Sequence, residues 1–544
     1  MRCTPSLSTL AIIFLLVALS EAFFIFYTIF LHIILTTIPL RVFRGATLAA
    51  RHIEAARKAS QQEFNDQPDT RESNSSHPSC SSSEVIHVSI IPSYKESLET
   101  LQDTLSILAS HRSAKTTYDI FLAMEERDPG AMEIAEALIS RFGTSFFCIQ
   151  YSVHPSDVPG ESQGKSANVA WAARAVEDKY KGRPCFQDVL ITITDSDTHL
   201  LESYYQLLQQ RHSALREQQP SDPAAASETL YTAPIIFDRN AHLVPRLVRV
   251  ADVGWSSAGL ACYKTRTDYG GIAFPTSVYS LPLSLVSSVG GWDAGPGAIG
   301  EDMHMMLKCY FATGGQLNIE SIASPASMSN VTTPGSTGLS GWLRNHKARY
   351  LQALRHMWGC LDTGYAVQKW SEMKYGNRRR VHFLWLRNAV LFLRLFEAHI
   401  LPLHFLCILV ASSRYSSSGS MGSTTRTTSP YYLEMTLLLT EYVRNANLLL
   451  MAICLNTAYA RFYHVSVQTR RWEMQKAGLH DFATESSPGR NKSWSLGAIL
   501  DILALPAASM LFGTLPLLHA VLSQLWSDRL VYRVSGKPTK SKGG

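Results

Sequence analysis

The chain has 544 residues, enough for three or four domains, yet only 17% of them are charged, against about 25% in soluble proteins. The modest net charge of +6 lies largely beside apolar runs, which marks membrane topology signals and argues against a nucleic-acid partner. Nine cysteines with no C-x-x-C pair imply neither a zinc site nor a complete disulfide framework.

Leu7 to Leu40 carries one charge, Glu21, over 34 residues, more than the ~20 needed to cross a bilayer. The run is too long for a cleaved signal peptide and has no small-residue cleavage site. Arg41, Arg44, Arg51, Arg57 and Lys58 follow this span and only Arg2 precedes it, so residues 1–58 read as an anchor whose basic flank leads into a cytosolic domain. Residues 59–84 are polar and rich in Ser, the composition of a disordered linker. The sequon at Asn74 would stay unmodified on that side.

From Val85 to about Met328, apolar β-branched runs near 85–91, 118–124, 146–152 and 188–194 alternate with helical patterns near 97–110, 130–141 and 166–178. The alternation predicts an α/β domain with a parallel sheet covered on both faces, which binds ligands outside the carboxyl ends of its strands. Gly341 to Trp358 predicts a helix capped by Ser340 and stopped at Gly359, with Gln352, Arg355 and His356 on one face.

Three apolar regions follow the basic run Arg378 to Arg380. Phe383 to Val410 contains Arg387, Arg394 and Glu397, which predicts an interfacial first half and a span near 396–412. A Ser/Thr-rich loop over 412–429 leads to a span within Tyr431 to Tyr459, and basic, polar residues 461–494 then read as cytosolic. Leu496 to Trp526 is broken by Pro506 and Pro516. Three single crossings would leave the basic tail (Arg529, Arg533, Lys537) outside, so this last region is expected to be re-entrant or a two-helix hairpin.

Four motifs carry the chemistry. Asp195-Ser196-Asp197 places two carboxylates where the strand ending at Thr194 empties into a loop, an arrangement that suits a hard cation sharing its shell with phosphates. Tyr94 and Glu96 lie on the loop after the first strand, and Glu125 ends the second. Gly164-Lys165 and Asn168 open a helix, where free N–H groups favour phosphate. Gly290-Gly291-Trp292-Asp293 precedes Gly300-Glu301-Asp302, whose acids also suit the first turn of the following helix.

In this order, with Gln352, Arg355 and His356 closing the series, the chain resembles the processive, membrane-embedded branch of family 2 glycosyltransferases, which includes cellulose, chitin and hyaluronan synthases. The resemblance covers residues 85–360 and implies a GT-A fold, with residues 361–544 as a membrane region of interfacial and transmembrane helices. It implies an inverting transfer from a nucleotide sugar, UDP-linked, to a saccharide or lipid acceptor beside the bilayer, with Mg²⁺ or Mn²⁺ on Asp195 and Asp197. It assigns donor binding to Tyr94, Glu96, Glu125, Lys165, Asn168, Asp195 and Arg355. Catalysis falls to Asp302 with Glu301, and acceptor binding to Gly291, Trp292, Gln352, His356 and Trp358. Two positions depart from the family pattern: Glu125 replaces an aspartate, and His356 replaces the tryptophan of Q-x-x-R-W. These departures suit a rival reading, a membrane scaffold that binds nucleotide sugar without turnover. Intact Asp195, Asp197, Asp302 and Arg355 oppose it.

Overall fold

A computed structural model of the chain describes residues 4–18, 21–66, 85–218, 224–265, 271–333, 338–376, 385–418, 430–484, 494–527 and 530. The 34-residue apolar run is divided between two helices, α1 (Thr4–Ala18) and α2 (Glu21–Asp66). With 46 residues, α2 is about 69 Å long at 1.5 Å per residue. That is about twice a bilayer's ~30 Å hydrocarbon core. Residues 59–66, expected in the linker, continue α2, and the Lys476 ammonium sits 5.8 Å from the Phe64 ring. The rest of the expected linker, Asn74, Arg378–Arg380 and the tail basics Arg529, Arg533 and Lys537 lie outside the described residues.

The α/β domain begins with β1 (Ile86–Pro92), α3 (Leu98–Ala109), α4 (Ala114–Thr117), β2 (Tyr118–Glu125), α5 (Ala131–Phe142), β3 (Cys148–His154), α6 (Lys165–Tyr180) and β4 (Val189–Ile193). It continues with α7 (Glu202–Gln218), α8 (Ala224–Ser227), β5 (Thr229–Thr232), β6 (Ile235–Phe237), α9 (Arg246–Ala261), β7 (Tyr279–Pro282), α10 (Leu283–Ser288), α11 (Glu301–Ala312), β8 (Asn318–Ser321) and β9 (Ala326–Met328). Seven strands form one sheet in the order β3-β2-β1-β4-β7-β5-β8, and β6 pairs with β9 apart from it. β3, β2, β1 and β4 are parallel, as the alternation predicts. The sheet is mixed, however, because β7 enters antiparallel between β4 and β5. One apolar cluster fills each face: Val88, Ile90, Val169 and Ile191 on one, Leu101, Ile120, Leu138 and Tyr205 on the other. Because β1, β2 and β4 run the same way, Tyr94, Glu125 and Asp195 emerge along one edge of the sheet.

α12 (Gly338–Trp358) starts two residues before Ser340, which therefore lies inside the helix and does not cap it. α13 (Leu361–Gly376) follows directly. α14 (Trp385–His399) and α15 (Leu401–Ser418) meet at a 60° bend, and residues 412–418 are helix, not loop. α16 runs unbroken from Tyr431 to Lys476 through a π turn at Leu455–Tyr459, so residues 461–476 extend a membrane-type helix into the domain. Its buried Arg470 reaches Asp238 at 3.3 Å, and Lys476 pairs with Glu202 at 2.8 Å. After α17 (His480–Thr484), α18 (Leu496–Ser523) is one continuous helix with a π turn at Met510–Thr514.

The hairpin expected of the last region is therefore absent. The π turn changes the hydrogen-bond pattern between Pro506 and Pro516, so the helix carries both prolines without reversing. Among the described residues three helices, Ala22–Asp66, Tyr431–Lys476 and Leu496–Ser523, are long and apolar enough to cross a membrane, and the bent α14–α15 pair makes up to four. Ile12, Phe24, Leu31, Ile408 and Leu433 pack α1, α2, α15 and α16 into one bundle. The lower half of α2 rests on α9, where Gly45 lies against the Leu260 carbonyl so closely that a Cβ would clash.

Candidate active site

A cavity of about 1260 Å³ opens at the carboxyl edge of the sheet and continues between α2, α9, α15 and α18. Tyr94, Glu96, Glu125, Lys165, Asn168, Asp195, Asp197, Glu301, Asp302, Gln352, Arg355 and His356 all line it. Gly291, Trp292 and Trp358 do not. Trp358 is buried among Leu354, Leu361 and Ala520. Trp292 sits behind the wall, donating from Nε1 to Tyr279 Oη at 2.7 Å, and Gly291 accepts from Lys308 Nζ at 2.9 Å. These three residues support the cavity from outside it.

Lys165 holds the centre. Gly164 adopts φ 139°, a conformation open essentially to glycine, and this turn sets Lys165 at the start of α6. Its Nζ lies 2.8 Å from Asp195 Oδ1 and 3.1 Å from Glu301 Oε2. Burial opposes the charged ammonium, but the carboxylates of Asp195, Glu301 and Asp302 outweigh it and raise the Lys165 pKa. Glu301, 4% exposed, also accepts from Tyr279 Oη at 2.6 Å. Burial pushes its pKa up to about 7, with Lys165 pulling it down and Asp302 pushing it further up. Trp292, Tyr279, Glu301, Lys165 and Asp195 thus form one hydrogen-bonded chain from the Gly-Gly-Trp turn to the D-x-D.

Asp302 is fixed differently. Its Oδ2 accepts from the Ser277 N–H at 3.0 Å and its Oδ1 from its neighbour's N–H, Met303, at 2.8 Å. Ser277 has φ 62°, costly for a non-glycine residue, and the strained loop before β7 aims this N–H at the carboxylate.

At the ends of β1 and β2, Arg127 pairs with Glu125, donates to Gln163 Oε1 at 3.0 Å and lies 4.5 Å from the Tyr94 ring centroid. Burial raises the Glu125 pKa, with Arg127 opposing. Asn168, 1% exposed, donates from Nδ2 to Ala123 O at 2.7 Å and so ties the start of α6 to the end of β2.

On α12, Gln352, Arg355 and His356 share the cavity face with Arg349, which the motif reading missed although it lies one turn before Gln352. Arg349 is buried on Asp252 at 2.9 Å, and Asn330 donates to the same carboxylate at 2.5 Å. The His356 ring stacks on Trp255, centroids 4.8 Å apart. Burial, then the charges of Arg355 and Arg349, pull its pKa well below the usual imidazole value, so the ring is neutral.

Behind this wall, His304 bridges Asp362 (2.6 Å) and Asp293 (3.0 Å), the latter also paired with Lys308 at 2.6 Å. Burial opposes its charge, yet the two aspartates raise the His304 pKa to about 9.

Among the described residues no three His, Cys, Asp or Glu side chains converge as a metal cage. Asp195 and Asp197 both face the cavity, and two carboxylates fit a hard cation that takes its remaining ligands from water and phosphate oxygens.

An α/β domain with acids, a lysine and an arginine gathered at its strand ends, set against a bundle of apolar helices, has the layout of a membrane-associated phosphate-ester or sugar transferase. Residues 190–463 match the profile of glycosyl transferase family group 2, half of the chain, and the chain belongs to that family. Membership supports glycosyl transfer from a nucleotide sugar. Among solved structures, the chain is similar to a mannosyltransferase from Pyrobaculum calidifontis in complex with GDP-Man and Mn²⁺, at 12% identity and a TM-score of 0.36 over 81% of this chain and 98% of that one. No curated protein matches it.

Proposed function

We propose that the protein is a multi-pass membrane enzyme that transfers a sugar from a UDP-sugar to an acceptor hydroxyl, with inversion at the anomeric carbon and a bound Mg²⁺ or Mn²⁺. The observation that carries this reading is the meeting of Asp195, Asp197, Lys165, Asp302 and Arg355, from separate motifs, in one cavity. Tyr94, Glu96 and Glu125 take the base and ribose, while Lys165 and Arg355 face the diphosphate. Asp195 and Asp197 hold the cation, which when bound offsets charge on the departing diphosphate. Asp302 accepts the acceptor's proton as the hydroxyl attacks, and Glu301 orients Lys165. Gln352 and His356 border the acceptor.

Residues 85–360 form the catalytic domain on the cytosolic side, favoured by Arg41, Arg44, Arg51, Arg57 and Lys58 on the half of α2 that packs against it. From there the α14–α15 pair leaves the cytosol and α16 returns. α18 contacts the domain at both of its ends: Asp501 pairs with Arg249 of α9 at 2.9 Å, and Tyr350 of α12 meets His519 at 3.3 Å. These two contacts favour a placement along the membrane surface without crossing, which would keep the basic tail cytosolic.

Purified membranes incubated with a panel of labelled nucleotide sugars test the reading. Transfer and nucleoside diphosphate release from a UDP-sugar are expected; neither transfer nor hydrolysis from any donor would refute it.

A further inference from the structure

Resting on the transferase reading above, we infer that the acceptor is an uncharged lipid alcohol whose apolar chain occupies the membrane-side half of the cavity. The cavity volume of about 1260 Å³ is above the ~1,000 Å³ upper end of ordinary small-molecule sites, so it has room beyond a nucleotide sugar. Its polar half is the site already described. The other half is walled by Leu35 and Ile38 of α2, Leu401 and Phe405 of α15, and Leu505 and Phe512 of α18. Leu35 and Ile38 pack against the same apolar cluster that joins α1, α2, α15 and α16, so the cavity reaches the depth of the membrane bundle.

The wall chemistry selects the occupant. A glycan threading these apolar side chains would find Ser509 and Thr514 of α18 as partners for a few of its many hydroxyls and would leave the rest unpaired, which buried polar groups rarely tolerate. An alkyl or prenyl chain has no such need. Glu397, the acid in this half, is already paired with Arg41 and Arg394, each at 2.7 Å.

The head group's charge follows from the boundary between the halves. The charge of Arg349 there is balanced by Asp252, leaving its buried Nη1 without a hydrogen-bond partner that a neutral hydroxyl can supply, and the stacked His356 ring is neutral, so an anionic head group gains little net attraction. A hydroxyl fits beside Asp302. In the step, the lipid O–H gives its proton to the Asp302 carboxylate and its oxygen bonds to the anomeric carbon. The bond from that carbon to the diphosphate oxygen breaks, and the nucleoside diphosphate leaves with the electron pair.

The full-length protein in phosphatidylcholine vesicles, with the labelled donor found active, is given diacylglycerol, a long-chain prenyl alcohol or a soluble oligosaccharide in separate arms. Label extracted into organic solvent from a lipid arm is expected. Leu505→Trp, which projects an indole into the apolar half, should raise the KM for that lipid by about tenfold or more with little change in the KM for donor. If that variant fails to fold, a diazirine-bearing form of the lipid that took label keeps the test open: labelling of peptides containing Leu401 or Leu505 supports the inference, and its absence overturns it. Label only on water-soluble glycan overturns the lipid acceptor and leaves the transferase standing. No nucleoside diphosphate release in any arm overturns both.

Discussion

Lys165 and Glu301 meet at 3.1 Å inside the cavity and join the helix that opens beside the donor to the helix that carries Asp302. Lys165→Met would leave Glu301 and Asp195 facing each other without a cation. Breaking a buried ion pair costs about 3–5 kcal/mol, and because Glu301 already titrates near 7 it would take up a proton and recover part of that loss. The expected result is a lower Tm at pH 8 that is partly restored at pH 6, with weakened donor binding at both. Thermal melts across that range check it.

Asp302→Asn should retain donor affinity and lose transfer by about 10² to 10⁴. The Asn carbonyl still accepts one of the two N–H groups, from Ser277 or Met303, but it cannot take a proton. Glu301→Gln should cost less turnover, since Tyr279 and Lys165 hold that side chain in place. Nucleoside diphosphate release at saturating acceptor, measured beside donor affinity, decides between them. Near-normal turnover for Asp302→Asn with a dead Glu301→Gln would reverse the two roles.

The His304 bridge predicts a pH effect with a definite sign. Its folded pKa of about 9 lies above the ordinary histidine value, which is about 6.5 in an unfolded chain. Its stabilisation is therefore complete below about pH 6.5 and is lost as pH rises through 9. Melting temperature should fall across that window in the wild type, and His304→Gln should flatten this slope. An unchanged slope in the variant would mean that the bridge to Asp293 and Asp362 does not form.

The four parallel strands and the helices between them were legible because each is a short local pattern, and so were the acids at their carboxyl ends. The antiparallel β7 was not, since no local feature fixes the direction of a strand inserted from elsewhere in the chain. Trp292 and Trp358 read as acceptor contacts from their neighbours in sequence, yet Trp358 points into the side of α12 that packs against α18. Arg349 carried a readable signal, its three-residue spacing from Gln352. The extensions of α2 to Asp66 and α16 to Lys476 defeat composition, because those polar turns are held by contacts between distant segments, such as Phe64 with Lys476 at 5.8 Å and Arg470 with Asp238 at 3.3 Å. Two prolines suggested a break in α18 because a π turn has no clear sequence mark.

At Gly45, α2 touches the Leu260 carbonyl of α9. Gly45→Ala must push the anchor off the domain and thereby distort the cavity wall that α9 supplies. Reduced Tm and a raised acceptor KM are expected, whereas Ala55→Gly, at an exposed position of the same helix, should cost only about 1 kcal/mol through helix propensity. Equal effects from the two variants would show that the contact does not position α9.

The most direct measurement is nucleoside diphosphate release from a UDP-sugar by the purified full-length protein, with and without EDTA, for wild type, Asp197→Ala and Asp302→Asn. A metal-dependent transfer with Asp302 as base requires release and transfer by the wild type, loss of both in EDTA and in Asp197→Ala, and donor binding without transfer in Asp302→Asn. Transfer that persists in EDTA and survives Asp197→Ala would contradict it.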